Sequence, residues 1–101
     1  MVLTPNRMSL SPIADKRDPT SFLSVVNANL TRNGTMDSMM DTARAVAGAH
    51  HVPVADGYAH WKELEKQGRV TPLTYANGTN HPSRELHQEL ANVLFAAFER
   101  M

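Results

Sequence analysis

The 101-residue sequence contains no cysteine. Disulfides, thiolate zinc sites, iron–sulfur clusters and cysteine nucleophiles are therefore excluded. It also lacks net charge, because ten Lys and Arg balance ten Asp and Glu. A chain without a bulk positive field has no general grip on phosphate, so nucleic acid is not an expected partner. No apolar run approaches the roughly 18 residues of a transmembrane helix, and no membrane span is expected. The opening residues Met1 to Arg7 do not read as a signal peptide, since the apolar run is short and its only base follows it. The compartment stays open. No H-E-x-x-H, Walker loop or G-x-G-x-x-G occurs, so neither a metal nor an organic cofactor is expected.

What is present fits a single globular domain over residues 1–101: 42% of residues are apolar and 20% charged. The first third is rich in Pro, Ser, Thr and Asn. Val2-Leu3-Thr4 reads as a short strand stopped by Pro5-Asn6, and residues 7–20 as a long loop. Ser21 to Leu30 carries Phe22, Leu23, Val25, Val26 and Leu30, enough for a short helix or an apolar clamp, and Asn33-Gly34 is a turn signal. Met36, Met39, Met40, Ala43, Val46, Ala47 and His50 recur at helical spacing and predict a helix over 35–50. Thr35 is its expected N-cap, and the three Met are expected in the core. Val52 to Ala55 reads as a buried parallel strand, with Pro53 favouring an edge or the strand start.

Tyr58, Trp61 and Leu64 predict a helix over 57–67 stopped by Gly68, with Asp56 as its N-cap. Residues 70–80 read as a loop with a turn at Asn77-Gly78. The last helix is opened by Pro82 or Ser83. Leu86, Leu90, Val93, Leu94, Ala97, Phe98 and Met101 form its expected apolar face. Two strands and three main helices in alternation give an α/β fold, yet two strands are too few to cover three helices.

Few residues sit in chemically informative contexts. Adjacent residues on a helix diverge by about 100°, so His50 and His51 do not share an ion and instead suit a helix C-terminus. His60 beside Trp61 reads as a solvated or rim residue, and His87 as a surface or packing residue. Asn29, Asn33 and Asn77 open Asn-x-Thr triplets, which matter only in a eukaryotic secretory pathway. His81 is the candidate catalytic residue. It ends a loop directly before a helix, Pro82 biases it away from helical geometry, and imidazoles exchange protons near neutral pH.

Asn80-His81-Pro82-Ser83, followed by His87 and an apolar helix, resembles the last block of the SGNH hydrolases (GDSL-type esterases and lipases), often written D-x-x-H-P-N. Val54-Ala55-Asp56-Gly57-Tyr58 with Trp61 resembles that family's late strand and following helix, and Met1 to Asn6 resembles a mid-domain strand. The resemblance implies a partial three-layer, flavodoxin-like architecture, the C-terminal half of such a domain. It also implies ester hydrolysis with His81 as general base to a serine nucleophile.

The departures from the family are large. No G-D-S block is present, and Ser9, Ser11, Ser21, Ser24, Ser38 and Ser83 all lie outside such a context. The middle blocks that supply the family's oxyanion Gly and Asn are not recognisable. Gly78 stands where the triad Asp is expected, and Asn77 offers a hydrogen bond without charge. The nucleophile then comes from another segment, another chain or an unconventional Ser, with Ser9 and Ser11 the internal candidates. Two readings follow. One is an SGNH-type ester hydrolase acting on an ester substrate. The other is a non-catalytic α/β domain that binds a protein partner or self-associates. Either way a homo-oligomer that completes the layers is expected.

Overall fold

The computed structural model describes residues 1–10, 21–75 and 80–101. Within them the chain is a mixed α/β fold. Its elements are strand β1 (Val2–Thr4), helices α1 (Ser21–Arg32) and α2 (Thr35–Ala49), strand β2 (Val54–Asp56), helix α3 (Gly57–Lys66), a 3₁₀ turn (Pro72–Thr74) and helix α4 (Arg84–Glu99). The strands form a two-stranded parallel sheet in the register Val2–Val54, Leu3–Ala55, Thr4–Asp56.

The parallel pairing and the order of elements follow the sequence reading, with four corrections. First, of the two readings of Ser21 to Leu30, short helix or apolar clamp, the helix holds, with 12 residues, so the described residues hold four helices rather than the three main ones expected. Its buried side is Ser24, Ala28 and Thr31, while Phe22, Val25 and Val26 stay exposed. The small residues, spaced three or four apart, form the inward stripe.

Second, Thr35 is not the cap of α2. Gly34 takes that place at φ +85°, a left-handed backbone that glycine adopts without strain. The Thr35 amide instead donates to Asn33 Oδ1 at 2.9 Å. Third, β2 starts at Val54, opposite Val2, and Pro53 contributes only its carbonyl, which accepts from the Val2 amide at 2.9 Å. Fourth, the apolar stripes are only partly core. Met40 and Ala47 are buried on α2, but Met39 and Val46 are exposed; Leu86 and Ala97 are buried on α4, but Phe98 and Met101 are exposed.

The main core lies between α3, the 3₁₀ turn and the start of α4. Trp61, Leu64, Val70, Tyr75 and Leu86 pack together, with Leu90 against them. The α3 periodicity is fully realised here, since Tyr58, Trp61 and Leu64 are all buried. Gly57 joins β2 to α3 where a side chain has no room: an added Cβ would lie 2.5 Å from Thr4 O and 2.9 Å from Leu90 Cδ2. Strand alternation sets Val2 and Thr4 on the α2 side and Leu3 on the α4 side. Val2 lines a groove with Val46 and Ala47, and Asp56, the partner of Thr4, is held by Arg44 of α2. Leu3 lies near Gly57 and Leu90.

Candidate active site

Both strands end at Thr4 and Asp56, which face each other across the ladder. The carboxyl end of an open parallel sheet is where α/β folds place ligands. Asp56 binds three elements into this edge. Its carboxylate accepts from Arg44 Nε at 2.6 Å and Nη2 at 3.0 Å, from the Thr4 hydroxyl at 2.8 Å and from the Ala59 amide at 3.1 Å. The Thr4 hydroxyl in turn accepts from the Tyr58 amide at 3.0 Å. The sequence-based role of Asp56 as N-cap of α3 therefore holds, and the Arg44 partnership is added to it.

The Arg44 hydrogen bonds, helped by those from Ala59 and Thr4, hold the Asp56 carboxyl down at about 2 against the opposing effect of burial. The lowered value means that folding favours the charged form. The stabilisation is present above the ordinary carboxylate value of 3.8 and is lost as pH falls toward 2. Discounted for partial exposure, it amounts to about 1–2 kcal/mol. Thermal melts between pH 5 and pH 2 are expected to show this loss, and Asp56→Asn is expected to flatten that part of the profile while lowering stability at pH 6.

The loop after β1 carries a second network. Arg7 Nη1 donates to Glu65 Oε2 at 2.7 Å, and Arg7 Nε donates to the Tyr58 hydroxyl at 3.2 Å. The Tyr58 hydroxyl donates to Asp37 at 2.7 Å, and Lys62 Nζ approaches the other Asp37 oxygen at 2.9 Å. Burial, reinforced by the Asp37 carboxylate, pushes the Tyr58 hydroxyl up to about 12. Burial likewise pushes the Glu65 carboxyl above its ordinary range despite Arg7 beside it. Trp61 Nε1 donates to the Tyr75 hydroxyl at 2.9 Å, which donates to the Arg7 carbonyl at 2.8 Å. This loop is therefore fixed to α2, α3 and the core together.

His81 is set against that same loop. Asn6 Nδ2 donates to the carbonyl of Asn80 at 3.0 Å and to that of Arg7 at 3.1 Å. Tyr75 and Pro82 form an antiparallel bridge, and the Ser83 amide donates to the Thr74 carbonyl at 3.0 Å. Ser83 then caps α4 by accepting from the Leu86 amide. The chain around His81 is thus pinned on both sides, and His81 itself is exposed directly before α4.

The serine candidates fare differently. Ser9 is 3% exposed and lines a small cavity of about 40 Å³ with Leu10, Glu65, Val70, Thr71 and Tyr75, of which His81 is not a wall. A space that size takes water rather than an ester. Ser11 lies outside the described residues, as do Asn77 and Gly78. Ser24 is buried on α1, and Ser38 is exposed on α2.

One arrangement escaped the sequence reading. His60 Nε2 and Glu89 Oε2 lie 2.9 Å apart on the rim of a groove of about 390 Å³, also lined by Asp56, Asn92, Val93, Ala96 and Arg100. His60 first, then Arg69, holds the Glu89 carboxyl below its ordinary range. The two residues are 29 positions apart, so no local spacing announces them. His87 is exposed, with Nδ1 3.1 Å from the Ser83 carbonyl, as expected of a surface residue. Among the described residues no cluster of three or more His, Asp or Glu is arranged to hold a metal ion, and no helix is long and apolar enough to cross a membrane.

Comparison of the chain with protein-family models, curated proteins and solved structures finds no match.

Proposed function

We propose that this chain is the histidine-bearing part of an SGNH-type serine ester hydrolase, with His81 as general base. The observation that carries the reading is the hydrogen bond from Asn6, two residues beyond β1, to the carbonyl of Asn80. It ties the residue before His81 to the loop at the carboxyl end of the parallel sheet, where an α/β hydrolase needs its base. The resemblance of the Asn80-His81-Pro82-Ser83 block supports the same reading. In this function His81 takes the proton of a serine hydroxyl as it attacks the ester carbonyl, then returns it to the leaving alcohol. The serine is contributed by another segment, another chain or an internal Ser outside a G-D-S block. The finer architecture belongs to this proposal: a three-layer, flavodoxin-like domain of which these strands and helices form the C-terminal half.

A fluorophosphonate probe tests the proposal by intact mass. One stoichiometric adduct is expected if the nucleophile lies in this chain, and His81→Ala is expected to slow its formation by about 10²-fold or more, the range for losing a general base. Equal labelling of the variant and the unaltered chain contradicts the mechanism. Absence of any adduct shifts the choice to the second reading.

That second reading is a non-catalytic α/β domain that self-associates or binds a protein partner. The specific observation favouring it is that the parallel sheet has two strands among the described residues, while Val46 on α2 and Phe95 and Phe98 on α4 are exposed. Parallel sheets are ordinarily buried on both faces. Self-association is common to both readings.

A further inference from the structure

We propose that the groove between the start of α3 and the length of α4 binds a short hydroxy carboxylate, with Arg100 holding the carboxylate and the His60–Glu89 pair meeting the hydroxyl. The site needs neither a serine nucleophile nor a second copy of the chain, so it goes beyond both readings of the function.

The groove encloses about 390 Å³, and small-molecule sites run from about 300 to 1,000 Å³. Glu89, Val93, Ala96 and Arg100 follow one another at helical spacing and form one wall. Asp56, at the end of β2, and His60, in the first turn of α3, form the other. Glu89 and Arg100 therefore stand at opposite ends of the α4 wall, about 16 Å apart along the helix axis at 1.5 Å per residue. The length of the Arg100 side chain takes up part of that span. Between the ends lie Val93 and Ala96, both half-buried. The arrangement suits an extended ligand with an apolar body and a polar group at each end.

Charge decides which polar group goes where. The Asp56 carboxylate already accepts two hydrogen bonds from Arg44. The Glu89 carboxylate is already shared by Arg69 and His60. Arg100 has no hydrogen-bond or ion-pair partner among the described residues. Both carboxylates of the groove thus carry their own counterions, and one positive charge is left over. That balance favours a monoanion. A guanidinium presents a planar fork that matches a carboxylate with two parallel hydrogen bonds. A doubly charged phosphate would keep an uncompensated negative charge beside Asp56 and Glu89.

The other end is set by the imidazole. Glu89 is held below its ordinary range, so it is ionised and only accepts. His60 Nε2 therefore carries the proton in its 2.9 Å hydrogen bond to Glu89. His60 Nδ1 has no hydrogen-bond partner among the described residues. It accepts when the ring is neutral and donates when the ring is charged. A hydroxyl, being donor and acceptor at once, serves either state.

Titration of the 101-residue chain with 6-hydroxyhexanoate, its neutral amide and hexanoate tests the site, read by calorimetry and by backbone amide shifts in NMR spectra. Saturable binding of 6-hydroxyhexanoate is expected, with the shifts gathered on residues 56–60 and 89–100. The dissociation constant is expected to rise about tenfold or more for the amide and for Arg100→Gln, and about threefold or more for hexanoate. Ala96→Phe fills the groove while keeping every charge and is expected to abolish binding. Arg84→Gln removes the same charge at the exposed start of α4, outside the groove, and is expected to change nothing. Circular dichroism checks that each variant keeps its helices. Absence of saturable binding, shifts centred elsewhere, or an unchanged affinity for the amide or in Arg100→Gln overturns the site. Equal affinity for hexanoate overturns the place given to His60.

Discussion

Trp61→Ala is expected to lower stability by about 3–5 kcal/mol, the range for truncating a large buried aromatic. Trp61 is 0% exposed at the centre of the core formed with Leu64, Val70, Tyr75 and Leu86. Its ring lies 6.1 Å from that of Tyr75 at a tilt of 52°, and its Nε1 supplies a hydrogen bond to the Tyr75 hydroxyl. Truncation leaves a cavity and also removes that donor, so the Tyr75 hydroxyl that anchors the Arg7 carbonyl loses its own restraint. Domains of this size are stable by only about 5–15 kcal/mol, so the variant uses up much of that margin. A fall in melting temperature of about 12 °C or more is expected by circular dichroism. Leu73→Ala, at an exposed position in the 3₁₀ turn, serves as the control and is expected to change stability by less than about 0.5 kcal/mol. Similar melts for the two variants would show that the core is not centred on Trp61.

Arg7→Ala is expected to cost about 3–5 kcal/mol, because it leaves a buried carboxylate without its counterion. The Arg7 side chain is 9% exposed and that of Glu65 13%. Glu65 Oε2 is held by Arg7, whereas Oε1 is buried without a hydrogen bond. Deleting the guanidinium also takes a partner from the Tyr58 hydroxyl and removes a cation 5.5 Å from the Tyr58 ring centroid. Hydrophobic replacement of both charges is expected to recover most of the loss, since burial opposes the two charges even when they are paired. Urea melts of Arg7→Ala, Glu65→Leu and Arg7→Met/Glu65→Leu measure this.

The pH dependence carries its own sign. Burial already raises the Glu65 carboxyl above 4.5, so its protonated form is favoured in the folded chain. Losing Arg7 removes the charge that opposes that rise. A raised folded value contributes stability at low pH and loses it as pH increases. The gap between Arg7→Ala and the unaltered chain is therefore expected to narrow as pH falls from 7 toward 4.5. A gap that widens on acidification contradicts the role given to Glu65.

Much of the secondary structure was legible because local signals agree with the tertiary result. Asp56 caps α3, Ser83 caps α4, and Gly68 follows α3 at φ +72°. The Tyr58, Trp61, Leu64 spacing marks a face that is wholly buried. Where two faces compete, periodicity misled. On α1 Phe22, Val25 and Val26 stand outward and Ser24, Ala28 and Thr31 face inward. The stripe through Met39 and Val46 and the one through Phe98 and Met101 likewise continue beyond what the core covers. Hydrophobic spacing shows that a face is apolar, but it does not say whether a partner element lies against it.

The candidate site divides along the same line. His81 stands out from the sequence by its Pro82 neighbour and its place before a helix. Its setting depends on Asn6, 74 positions from Asn80. Arg7 reads as an unremarked base in a loop, yet it is buried among Tyr58, Asp37 and Glu65. His60 and Glu89 likewise meet only when α3 and α4 do.

The sequence by itself determined the absence of thiol chemistry, the neutral charge, the order of strands and helices, and the caps of α3 and α4, because these follow from residue identity and from interactions within a few positions. Tertiary structure alone decided which apolar stripes became core, which charges were buried in pairs, and where the residues around His81 were anchored. Each of these depends on groups far apart in the chain being brought within a few ångströms, and no local pattern of residues encodes that distance.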